Sequence, residues 1–156
     1  MGRLYVLCSD KLDPIYAAVQ GGHAIAEFMM DQQDGIDRGK RSVFREDKWY
    51  NDTVVYLSVD IDKWHDYLDD FDHLWYYYST WEEPDCGDAL TAIALHIPDD
   101  VIDYKSKKLK DYEDCVANGD IIPRHRELLK RLKSEKLLGL HSLDQELDGL
   151  VENPIE

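Results

Sequence analysis

The chain has 156 residues, 44% of them hydrophobic and 11% aromatic, with a formal net charge of −15. That length suits one domain with its own core plus an appendage, and the apolar content excludes global disorder. The charge argues against attraction to phosphate over the surface as a whole, and no apolar run approaches the roughly 20 residues that span a bilayer. In chain order, residues 3–8 form a short β-branched and aromatic run that reads as a strand. Asp13 can cap a helix and Pro14 suits its first turn, and Ile15, Val19, Ile25, Phe28 and Met29 recur at helical spacing to about Gln33. Residues 34–51 lack an apolar period and carry Arg38, Lys40, Arg41, Arg45 and Lys48, which predicts a long mobile loop. A second strand is expected at 53–59, a helix from Ile61 to Phe71, and a strand from Leu74 to Trp81. A further strand at 90–97 stops at Pro98, and helices over Asp99–Ala117 and Pro123–Leu138 with a short Leu143–Val151 piece close the chain. This order predicts an α/β fold with a mixed sheet and helices on both faces.

The cysteines Cys8, Cys86 and Cys115 are odd in number and contain no C-x-x-C pair, against both a disulfide framework and a structural zinc site. No export signal is read at the N-terminus, so a cytoplasmic protein without cofactor or bound metal is expected, and no membrane association. Acids dominate from Asp60 to Asp88, where Lys63 is the one base, whereas Lys and Arg outnumber acids between Lys105 and Lys136. The bland account of both runs is solvated helix faces.

Three stretches could carry chemistry. Gln20 and His23 stand three apart on one helix face, next to Gly21-Gly22, which suggests close packing or binding at the backbone. A histidine in an apolar helix is more often a core residue than a catalyst. The acidic loop Trp81-Glu82-Glu83-Pro84-Asp85-Cys86-Gly87-Asp88 can supply an acid or base or hold a cation or amine, or be an ordinary turn. Ser9-Asp10-Lys11 follows the first strand, where mixed α/β sheets place ligands. No Walker loop, G-x-G-x-x-G, H-E-x-x-H or G-x-S-x-G occurs.

Leu4-Tyr5-Val6-Leu7 leading to Ser9-Asp10, then Ala18-Val19-Gln20-Gly21-Gly22-His23-Ala24, resembles the strand-to-helix signature of the type 2 peptidyl-tRNA hydrolases. Glu83-Pro84-Asp85 followed by Leu90-Thr91-Ala92-Ile93-Ala94 is similar to that family's small prokaryotic and phage-encoded branch, and Trp49 before the second strand also fits. The resemblance covers residues 3 to about 110. It implies a four-stranded mixed sheet between helix layers (three-layer α/β/α) over residues 1–111, whereas the C-terminal helical extension expected over 112–156 has no counterpart in the family's minimal fold. It also implies cleavage of the ester joining a peptidyl or N-blocked aminoacyl group to the 3′ end of tRNA. Two positions depart from the better-known members, whose lysine four residues before the glutamine is here Tyr16 and whose loop acid falls near Tyr78.

On this resemblance His23, Gln20 and Asp10 are the catalytic candidates: His23 as base or water-positioning group, Gln20 as donor to the acyl carbonyl, Asp10 as orienter. Lys11, Tyr16, Trp49, Glu83 and Asp85 are candidates for substrate binding, with Trp49 or Tyr16 stacking on the terminal adenine. The bases of Arg38–Lys48 and of the C-terminal helices are expected to face the acceptor stem. The competing expectation is an inactive binding module of the same fold, which sequesters a nucleotide-like small molecule or engages a protein through its acidic surface. Self-association into a homodimer stays open.

Overall fold

The computed structural model describes residues 2–40, 42–46, 53–74, 76–98 and 121–138. Strand β1 (Arg3–Ser9) runs through the middle of the sheet, buried on both sides from Leu4 to Ser9. Its nearly unbroken apolar sequence reflects that position. Helix α1 (Pro14–Asp37) starts as expected: the Asp13 carboxylate accepts the Ile15 N–H at 3.0 Å and Pro14 occupies the first turn. It continues past Gln33, and Gly39, at φ 70°, ends it in the left-handed conformation that glycine adopts freely.

The stretch after α1 differs from the loop reading. A one-turn helix α2 (Val43–Glu46) lies inside it, with Val43 and Phe44 buried and the Val43 N–H donated to Gln32 Oε1 at 2.8 Å. Two apolar residues among bases leave no period to detect, and the anchor is a side chain eleven residues away. Strand β2 (Val54–Val59) follows and pairs parallel to β1. A 3-10 turn at Ile61–Lys63 then leads into α3 (Trp64–His73).

Strand β3 is Tyr78–Glu83, shorter at its start than the run from Leu74 suggests. Leu74 instead caps α3, donating its N–H to Asp70 at 2.9 Å, and both Leu74 and Tyr76 are buried. A 3-10 turn at Pro84–Cys86 and the left-handed pair Gly87 and Asp88 reverse the chain into β4 (Ala89–Ile97), which ends before Pro98.

Among the described residues the sheet has five strands rather than four, in the order β3-β4-β1-β2-β5. Helix α4 (Ile121–Ser134) ends four residues before Leu138, because Lys136–Leu137 peel away as β5 and pair antiparallel with Leu57 and Ser58 of β2. The β1–β2 pair is parallel and the other three are antiparallel. The expected helices Asp99–Ala117 and Leu143–Val151, and the boundary at residue 111, lie outside the described residues.

Alternation along β1 sorts the apolar residues into two clusters. Tyr5 and Leu7 join Leu57, Val59, Trp64, Tyr67 and Phe71 and, from α4, Leu128 and Leu132. Leu4, Val6 and Cys8 join Ala17, Ala24 and Phe28 of α1 and Val43 and Phe44 of α2. Leu128 and Leu132 are fully buried, a gain of about 2 kcal/mol each. Polar contacts orient α4 on the same side. Arg131 pairs with Asp70 and lies 5.1 Å over the Tyr67 ring, Lys63 meets Glu135 at 2.9 Å, and Tyr76 and His125 share a hydrogen bond. Among the described residues, no helix is long and apolar enough to cross a membrane.

Candidate functional site

Gln20, His23, Glu83 and Tyr16 meet where the first half of α1 crosses the β3–β4 turn. Gly21 makes that crossing close. A Cβ there would stand 2.7 Å from Tyr56 Cε1, 2.9 Å from Cys8 Sγ and 3.0 Å from Val6 Cγ1, so the glycine lets α1 lie flat on the strands. Gly22 faces open space instead.

The sheet contributes an irregularity. Trp81 pairs with Ala92 and Glu82 with Leu90, so Thr91 is the extra residue of a bulge on β4. Released from the ladder, the Thr91 hydroxyl lies 2.9 Å from Gln20 Oε1 and 3.4 Å from the Trp81 carbonyl. It has one proton to give, and the shorter contact with Gln20 is the better bond. Gln20 is 1% exposed. Its Oε1 accepts from Thr91, and its amide group lies near enough to the Glu83 carboxylate to favour that group's charged form.

Glu83 also accepts the Trp81 Nε1–H at 2.9 Å and the Asp85 backbone N–H at 3.3 Å. The Trp81 bond comes first in holding its carboxyl below the ordinary glutamate range, over an opposing push from burial. Trp81 in turn stacks under His23, ring centroids 4.7 Å apart and planes 23° from parallel. The result is a continuous run of contacts, Thr91 to Gln20 to Glu83 to Trp81 to His23, drawn from α1, β3 and β4. His23 itself is exposed, which removes the core-histidine account.

Tyr16 sits one helical turn before Gln20 with its hydroxyl 3.8 Å from Cys86 Sγ. The contact with Cys86, then burial, and then the charges of Cys86, Glu83 and Asp85 push its pKa up to about 12. Tyr16 is therefore a neutral hydroxyl near pH 7 and does not reproduce a lysine's charge. The Asp85 side chain is exposed, and Asp85 joins the network through its backbone N–H.

Asp10 and Lys11 stand apart from this network. Asp10 lines a cleft of about 330 Å³ with Ser58, Asp60, Lys63, Glu135 and Lys136, beyond the carboxyl ends of β1 and β2. Lys11 is exposed and donates its backbone N–H to Ser9 Oγ at 3.2 Å. Trp49 lies outside the described residues. Among the described residues, no group of three or more His, Cys, Asp or Glu side chains is placed to hold a metal ion. Cys8 is buried, and burial pushes its thiol up to about 12, so it is unreactive.

Trp81 and Thr91 carry the arrangement without having been assigned a role from sequence. The alternation of Trp81 and Glu83 along β3 signals a shared face. No pattern signals the bulge that turns Thr91 toward Gln20. Compared with known proteins, the chain matches no family model and no curated protein sequence.

Proposed function

We propose that the protein hydrolyses the ester between a peptidyl or N-blocked aminoacyl group and the 3′ end of tRNA, acting in the cytoplasm on a three-layer α/β/α scaffold. The observation that carries this reading is the contact chain ending in an exposed His23 seated on Trp81. It supports the reading because ester hydrolysis needs a fixed, water-accessible base. In this mechanism His23 takes a proton from water as the water oxygen attacks the acyl carbon. The bond to the terminal ribose oxygen then breaks, and the proton passes to that oxygen. Tyr16 offers a neutral O–H to the developing oxyanion. The ionised Glu83 presents negative charge to a substrate hydroxyl or amine. Gln20 is a positioning residue, since its buried amide already serves Thr91 and Glu83. Asp10 and Lys11 take no part in the reaction.

One observation favours a second reading. Both Gln20 and Glu83 are engaged by internal hydrogen bonds, as they are in a pocket that binds without turning over. Incubation with N-acetyl-aminoacyl-tRNA, followed by separation of free from charged tRNA, decides between the two. Release of free tRNA by the parent, abolished in His23→Gln at an unchanged melting temperature, is the expected result. No release, with small nucleotides raising the melting temperature, selects the binding module.

A further inference from the structure

The bases of α4 divide by direction. The helix carries Arg124, Arg126, Lys130, Arg131 and Lys133 against one acid, Glu127. Arg124 and Arg131 turn toward α3 and both meet Asp70, so they dock the helix. Arg126, Lys130 and Lys133 are exposed and spaced i, i+4, i+7, a single stripe on another face. They line a cleft with Leu129, and this adjoins a second cleft of about 250 Å³ where Lys133 meets Arg3, Tyr5 and the Ile97–Pro98 end of β4. Like charges one turn apart on a helix are mildly destabilising. In a chain of net charge −15, four bases gathered here form a local positive field that suits a polyanion.

Its position sets the length of that polyanion. The stripe adjoins the Ile97 end of β4, whereas Thr91 and the His23 site lie toward the Ala89 end, about 20 Å away along the strand at ~3.4 Å per residue. The cleft beside Arg3 is thus too far away to hold the ester end itself. We propose that Arg3, Arg126, Lys130 and Lys133 form a docking surface for the phosphodiester backbone of the tRNA body, remote from the ester. The choice of tRNA rests on the hydrolase reading above. The surface gives the protein a preference for full-length tRNA over short 3′-end fragments.

The test measures binding of deacylated tRNA to the full chain by filter retention between 50 and 200 mM salt, for the parent and for Lys130→Glu/Lys133→Glu. With four phosphate contacts the parent's affinity falls about 60-fold over that range, and with two contacts about 8-fold. Weaker binding with this flattened salt response, at an unchanged melting temperature, is the expected result. Equal affinity and slope in the two proteins, or no tRNA binding by the parent at 50 mM salt, overturns the proposal. A parallel assay of the parent on full-length N-acetyl-aminoacyl-tRNA at 50 mM salt, where the docking surface is engaged, tests the hydrolase reading separately. Salt-sensitive binding without any ester cleavage retains the docking surface and removes the hydrolase.

Discussion

Adjacent glycines in α1 should respond to alanine with opposite signs. At Gly21 the new methyl meets Tyr56, Cys8 and Val6 at 2.7, 2.9 and 3.0 Å. Val6 and Cys8 belong to the fully buried central strand and have no room to retreat, while the half-buried Tyr56 ring can yield in part. Overpacking of this kind costs about 2 kcal/mol, and the better helix propensity of alanine returns about 1 kcal/mol, a net loss of about 1 kcal/mol. At Gly22 nothing lies within 4 Å, so Gly22→Ala keeps the whole propensity gain of about 1 kcal/mol. For a chain of this size each kcal/mol moves the melting temperature by roughly 3 °C. Thermal unfolding by circular dichroism should therefore place Gly21→Ala about 3 °C below the parent and Gly22→Ala about 3 °C above it. Equal stabilisation by the two substitutions would refute the close approach of α1 to β1 and β2, and with it the geometry that brings Gln20 to Thr91.

Thr91→Val keeps the shape of a 4% exposed side chain but leaves Gln20 Oε1 buried without its donor. We expect a loss of about 2 kcal/mol, or roughly 6 °C in melting temperature, with Thr91→Ser close to the parent; a Val variant that melts with the parent removes the network. Glu83 has a folded pKa below its unfolded value, so the ionised carboxylate stabilises the fold above the ordinary glutamate range and that contribution disappears as pH falls through the folded pKa. The melting-temperature gap between the parent and Glu83→Gln should hold from pH 7 to about pH 5 and close on further acidification, and a gap that widens in acid would contradict the assignment.

The elements written in local pattern are legible in the sequence. Helix α1 announces itself through Asp13, Pro14 and its apolar spacing, β1 and β2 through their β-branched runs, and β4 through its stop at Pro98. What escapes is held by distant partners. Strand β5 is two exposed residues, Lys136 and Leu137, whose extended shape comes from the edge of β2 and not from propensity. Helix α2 depends on Gln32, and the bulge at Thr91 exists only in the pairing of β3 with β4. At the site, Gln20 and His23 are legible because one helix turn fixes their relation. Asp10 is not, because the end of β1 opens into a cleft lined with Asp60, Lys63 and Glu135, to which no residue of the network contributes.

Strand β5 also bears on how the chain avoids sticking to itself. Without residues 121–138, the backbone of β2 beyond β1 loses its Leu137 and Leu138 partners, and the apolar surface under Leu128 and Leu132 opens to water. An uncovered strand edge beside an exposed apolar surface is a template for intermolecular pairing. A shortened chain ending near Pro98 keeps every residue of the Thr91–His23 network, yet offers neighbouring molecules the place that α4 and β5 now occupy. Among the described residues, α4 and β5 thus act as an intramolecular substitute for a second copy, and β5 itself is a lysine-bearing strand of two residues, too short to template much further pairing.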